Sequence, residues 1–85
     1  MPKSKLVNEG SLTGVVQDIT FADGFFRILV VRVVRCSFDW TRPEITVSGP
    51  IGEVMEGEEY QFIGHLVLKP RFGQQFVARQ AKRIG

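Results

Sequence analysis

The stretch from Phe25 to Phe38, "FFRILVVRVVRCSF", decides the fold. It is rich in β-branched and aromatic residues and poor in helix formers, so it reads as one long strand. Phe26, Ile28 and Val30 share one face; Arg27, Leu29, Val31 and Val33 share the other. Both faces are largely apolar. An open five-stranded sheet would leave one of them bare, whereas a small bent barrel can use both. The expectation is therefore a long, bent strand that contributes to more than one part of a barrel wall.

The flanking sequence supplies the other strands. Ser11 to Phe21 reads as a first strand, followed by the hairpin signal Asp23-Gly24. Asp39 to Pro43 reads as a loop with Trp40 exposed or half exposed. Glu44 to Ser48 alternates, with Ile45 and Val47 inward, and Gly49-Pro50 ends it. Ile51, Val54 and Met55 have the spacing of one helical turn facing the core, closed by Gly57. Tyr60 to Lys69 is a fourth strand in which Gly64 marks a bulge or bend, and Gln75 to Ile84 is the fifth. No ten-residue helical stripe exists. The fold class predicted is all-β: a small five-stranded barrel, SH3-like or OB-like, over residues 11–85, preceded by a loose, polar segment over residues 1–10. Buried positions predicted within it include Val47, Phe62, Leu66 and Phe76.

At 85 residues the chain suits one small domain, with ~60% of its surface buried on folding. The net charge of +2 conceals an asymmetry: residues 1–59 carry all nine acids, while Lys69, Arg71, Arg79, Lys82 and Arg83 lie beyond them with no acid among them. Such a one-signed segment either makes a local positive field or is simply a solvated end. Cys36, the single cysteine, forms no internal disulfide and reads as a buried or half-buried small hydrophobe. His65 is the single histidine, so a zinc site has too few nitrogen and sulfur ligands. Glu53, Glu56, Glu58 and Glu59 lack the rhythm of a calcium loop and read as solvated. No phosphate loop, dinucleotide fingerprint or His-Glu-x-x-His motif occurs. The sequence gives no reason to expect a cofactor, a metal or catalysis by this chain itself. The first residues lack an apolar signal core, and the longest apolar run is interrupted by Arg27 and Arg32. The default expectation is a cytoplasmic protein without a membrane partner.

Binding is the better class. In "KPRFGQQF", Lys69 to Phe76, Pro70 fixes one shoulder of a turn and Gly73 suits the positive φ of the other, so that Arg71 and Phe72 stand at the tip. Gln74 and Gln75 follow, one of them outward. Trp40 and Arg42 make a second ring-and-cation pair. Rings beside cations hold nucleobases by stacking, worth roughly 1–3 kcal/mol per base, while cations meet phosphates. The candidate site is Trp40, Arg42, Lys69, Arg71, Phe72, Gln74, Arg79, Lys82 and Arg83. Other roles fit the same residues. Phe72 can fold back as a plug over the barrel end, Trp40 can cover an edge, and Trp, Phe and Arg also populate protein interfaces.

Val47 and Gly49, then Gly57, Glu58, Tyr60, Phe62 and Gly64, then Pro70, Arg71, Phe72, Gly73, Gln75 and Phe76 resemble the pattern of a known family. That family is the N-terminal OB-like domain of RecD2-type DNA helicases, relatives of the exodeoxyribonuclease V alpha subunit. Gly14, Val16, Ile19 and Phe21 resemble its opening strand. The resemblance covers residues 11–84. Lys69 stands where the family has His or Asn, and the motor domains with their Walker motifs are absent from this chain. The resemblance implies an accessory domain in DNA transactions such as repair. Its partners would be single-stranded DNA, helicase motor domains or another DNA-repair protein. The reading favoured on these grounds is weak contact with single-stranded DNA. The alternative is a protein–protein docking module with no nucleic-acid affinity of its own.

Overall fold

The computed structural model describes residues 9–84. Five strands follow in order: β1 (Gly10–Asp23), β2 (Phe26–Cys36), β3 (Glu44–Gly49), β4 (Glu59–Lys69) and β5 (Gly73–Arg83). They close into a barrel in the order β1-β2-β3-β5-β4, with β4 returning to pair with β1. All pairs are antiparallel except β3 with β5, which is parallel. The five-stranded barrel of the sequence reading is present, with this connectivity. Of the loose segment expected over residues 1–10, residues 1–8 lie outside the described residues, and Gly10 already begins β1.

Closure depends on one strand that bends, and it is β1 rather than β2. β1 pairs with β4 through Gly10–Val15 and with β2 from Leu12 to Asp23. Its register against β2 slips three times, leaving Val34, Gln17 and Thr20 without an opposite partner. Each extra residue increases local twist, and three together coil the ribbon enough to close the wall. At the far end, Asp23 pairs with Phe26, so the two-residue loop is Gly24-Phe25. Gly24 alone takes positive φ there (59°), the pattern of a turn with glycine at its first central position.

Inside sit Leu12, Val16, Leu29, Val31, Val47, Phe62 and Phe76, all fully buried, with Ile45, Val54, Tyr60 and Ala78 around them. Each fully buried side chain of this size contributes ~1.5–3 kcal/mol relative to exposure, so the interior rather than the surface ion pairs carries stability. Val47, Phe62 and Phe76 are buried as expected. Leu66 is only half-buried and packs against the core from its margin. Leu29 and Val31 are the inward face of β2. Its other face, including Ile28 and Val30, remains half-buried. The second apolar face of β2 is therefore not absorbed by the core.

The predicted irregularity near Gly64 exists, but the extra residue lies opposite. Ile63 pairs with Gln80 and Gly64 with Ala78, so Arg79 on β5 is the bulged residue. Gly64 is required because the β5 backbone passes so close that a Cβ would overlap the Val77 carbonyl oxygen. The helical turn expected at Ile51–Glu56 does not form. Gly52 adopts a φ of 76°, incompatible with a right-handed helix. The segment crosses the barrel end without regular structure: Val54 is buried, Ile51 half-buried, and Met55 exposed. The Met55 N–H donates to the Tyr60 hydroxyl oxygen at 2.9 Å, which satisfies a backbone group that a helix would have used.

Candidate nucleic-acid interface

The loop from β2 to β3 is built outward from the core. Phe38 is half-buried and stacks on Phe76, with ring centroids 5.4 Å apart and planes 17° from parallel. Trp40 meets Phe38 edge to face at 6.4 Å. The indole N–H of Trp40 donates to the Glu44 carbonyl oxygen at 3.1 Å, fixing the ring across the loop. The Arg42 guanidinium carbon then lies 4.5 Å from the centroid of the Trp40 ring. One core contact thus sets a ring, and the ring sets a cation, which loses little further freedom on binding. Cys36 is half-buried beside them, as expected, its thiol contacting the Phe38 carbonyl oxygen at 3.1 Å.

Opposite stands the turn between β4 and β5. The Phe72 N–H donates to the Lys69 carbonyl oxygen at 3.1 Å, closing a four-residue turn with Pro70 at its second position. Arg71 has a φ of 76°, as does Gly73. The Gly73 conformation was legible in advance; that of Arg71 was not, since this position of such a turn favours glycine or asparagine. A side chain in the left-handed region costs on the order of 1–2 kcal/mol, and that strain aims Arg71 and Phe72. Phe72 is 73% exposed, so it does not plug the barrel end. Phe38, stacked on Phe76, performs the inward packing considered for Phe72.

Trp40 and Phe72 share one face. They line a single groove of about 380 Å³ together with Arg42, Gln74, Glu44 and Thr46, floored by Val30, with Pro43 and the largely buried Ile45 also bordering it. Val30 and Thr46 are direct register partners across β2 and β3. The half-open apolar face of β2 is thus the groove floor. This volume sits near the low end for ligand clefts. Arg42 covers one face of Trp40, so the open stacking surfaces are the Phe72 ring and the guanidinium plane.

Four of the nine candidate residues therefore converge: Trp40, Arg42, Phe72 and Gln74. Lys69 and Arg71 flank the groove in the same turn, exposed but not lining it. Arg79, Lys82 and Arg83 lie elsewhere. Lys82 and Arg83 pair with Gln61 and Tyr60 at the other end of the hairpin, roughly 35 Å along β5 from Phe72 at ~3.4 Å per residue. Arg79 chelates Glu9 through two nitrogens, the longer contact being 2.9 Å, and also reaches the Gln80 amide oxygen. Arg83 pairs with Glu58 at 3.0 Å. The C-terminal positive segment is thus partly neutralised by acids from earlier in the chain, which a linear charge count does not show. The hydrogen bond from Arg79 holds the Glu9 carboxyl below the usual carboxylate range, and Glu9 raises Arg79 in return. The sequence reading missed Val30, Glu44 and Thr46. Their signal was the outward parity of β2 and β3, which in OB-like barrels faces oligonucleotides.

A closed β1-β2-β3-β5-β4 barrel with a groove across β2 and β3, walled by the β4–β5 turn, defines an OB-fold module. Residues 9–84 match the family model described as the OB-fold domain of the ATP-dependent DNA helicase YrrC, and the chain belongs to that family. This agrees with the RecD2-type resemblance carried by the turn and the fourth strand. No solved structure matches the chain significantly.

Proposed function

We propose that this OB-fold domain holds single-stranded DNA in the groove between Trp40–Arg42 and Phe72, as a weak accessory contact for a helicase motor. The observation that carries this reading is the convergence of an exposed ring, a pre-set guanidinium and an amide on one apolar floor. Bases stack on Phe72 and on the Arg42 plane, while Arg71 and Lys69 at the rim meet phosphates. The domain supplies binding, and the chemistry of ATP hydrolysis belongs to motor domains outside this chain. Such a domain would act in the cytoplasm, in DNA repair or a related transaction.

Trp40 is the single tryptophan and lies in the groove, so its fluorescence reports occupancy directly. Titration with a short single-stranded oligonucleotide at two salt concentrations should show saturable quenching that weakens as salt rises. With two or three phosphates neutralised, log affinity falls with log salt at a slope of about −1.4 to −2.1. Absence of any change at low salt would reject the reading.

A docking role has its own supporting observation at a separate place. Phe21, Phe25 and Phe26 crowd the β1–β2 hairpin tip, all exposed, with Phe21 and Phe26 edge to face at 6.2 Å. An aromatic cluster of this kind suits a protein partner such as a motor domain. Phe25→Asp should abolish motor-domain capture and leave the groove titration unchanged.

A further inference from the structure

The groove contains one carboxylate as well as one guanidinium. Glu44 lines it beside Arg42, and among the described residues it has no cation within ion-pair distance. Its backbone is fixed by the Trp40 indole bond and by pairing with Arg32 across β3 and β2, so the residue is placed at the wall with its exposed carboxylate free to accept hydrogen bonds. A carboxylate is a poor neighbour for phosphate: it repels the charge that the rim residues attract. A groove whose two charges cancel suits the base of a nucleotide rather than its backbone.

A carboxylate only accepts hydrogen bonds, and its two oxygens take two parallel donors. The four bases differ in what their Watson–Crick edges offer when unpaired. Guanine presents adjacent N1–H and N2–H donors, a fork that matches a carboxylate. Cytosine and adenine present one amine donor next to a ring-nitrogen acceptor, which the carboxylate opposes. Thymine presents one N–H between two carbonyl oxygens, both repelled. Gln74 lines the same groove, and its amide carries N–H donors of the kind that guanine O6 accepts.

We propose that Glu44 makes this groove selective for a guanine within single-stranded DNA. This rests on the groove's being a single-strand site, and the two claims fail differently. The probe set is a six-nucleotide all-thymine strand, the same strand with one central guanine, and the same strand with central hypoxanthine, which keeps N1–H and lacks the 2-amino group. Each is titrated against the 85-residue chain and its variants by Trp40 fluorescence. The guanine strand should bind roughly fivefold or more tightly than all-thymine, as one bidentate base contact at the lower end of its range gives. The hypoxanthine strand should fall between them. Glu44→Gln, which keeps size and removes the double acceptor, should bring the guanine-to-thymine ratio close to one. Phe72→Ala should weaken binding of all three strands together. Equal affinity of the guanine and thymine strands, with Phe72→Ala still weakening both, overturns the selectivity and leaves the groove reading intact. A ratio that survives Glu44→Gln overturns the role of Glu44. Failure of every strand to bind removes both claims.

Discussion

Phe38 and Phe76 stack face to face at 5.4 Å, one ring in the loop and the other in the centre of the core. The placement of Trp40 and Arg42 therefore depends on a core contact two residues upstream of the tryptophan. Phe38→Ala should cost ~2 kcal/mol of stability, below the range for a fully buried ring because Phe38 is half-buried. It should also weaken single-strand binding, since Trp40 loses the edge-to-face support that holds it. Urea denaturation and the fluorescence titration measure the two effects separately; binding unaltered in a destabilised variant would detach the loop from its anchor.

Gly64→Ala should be as damaging as a core truncation. A methyl group there has no space before the Val77 carbonyl oxygen, and the obstruction is backbone. The strands must separate where β5 bulges at Arg79, breaking pairs on both sides. A loss of ~3 kcal/mol or more would take a large part of the stability of so small a domain. The check is circular dichroism on the purified variant, which should show a largely unfolded population; a well-folded Gly64→Ala protein would contradict the close approach.

The alternation of Ile45 and Val47 and the double apolarity of β2 made the strands and the barrel legible, because side-chain parity is a local property. An irregularity at Gly64 was legible too, but the residue that bulges there and the three slips between β1 and β2 were not. Whether Arg79 or Gly64 holds the extra residue depends on which backbone gives way, and that is settled between strands. Ile51, Val54 and Met55 misled because their spacing fits a helical turn, while the φ of Gly52 is fixed by tertiary contacts. The site divided in the same way. Trp40, Arg42, Phe72 and Gln74 were visible as residue types suited to a base, but Arg79 and Arg83 find carboxylates distant in sequence. Only the closed barrel reveals that pairing.

Arg71 occupies a backbone conformation that glycine adopts freely. Arg71→Gly should raise stability by ~0.5–1 kcal/mol, the relief of left-handed strain less the entropy that glycine loses on folding. If Arg71 meets one phosphate, the same change should make the salt slope of DNA binding shallower by about 0.7. A more stable variant with weaker, less salt-sensitive binding is the expected pair of results. Unchanged binding would assign the strain to turn geometry alone.

Glu9 and Arg79 join the start of β1 to the bulge on β5, in solvent. The folded-state Glu9 pKa lies below its ordinary value. Its stabilising contribution is therefore complete above the ordinary glutamate pKa and disappears as pH falls through the lowered folded value. Exposure and salt keep it small. Acid denaturation of the wild type and Glu9→Gln should differ at neutral pH in low salt and converge both at acid pH and in high salt. A difference that persists in high salt would mean that Glu9 acts through packing or backbone bonds instead.

Phe72 gives the most direct test of the groove. Its ring is 73% exposed and rests on no core residue, so its removal creates no cavity and should change stability by less than ~0.5 kcal/mol. If bases stack on it, Phe72→Ala should weaken single-strand binding by ~1–3 kcal/mol, between five- and 150-fold. Phe72→Trp, which enlarges the stacking surface without altering the turn, should keep or improve affinity. Phe72→Leu keeps apolar area but loses the flat ring, and should resemble the alanine variant more than the wild type. This ordering, Trp at or above Phe and both above Leu and Ala, separates stacking from simple apolar contact. An interface with another protein would instead tolerate leucine, because burial rather than ring geometry would carry the energy. Four titrations on proteins of matched thermal stability decide the matter, and equal DNA affinity across all four would remove Phe72 from the site.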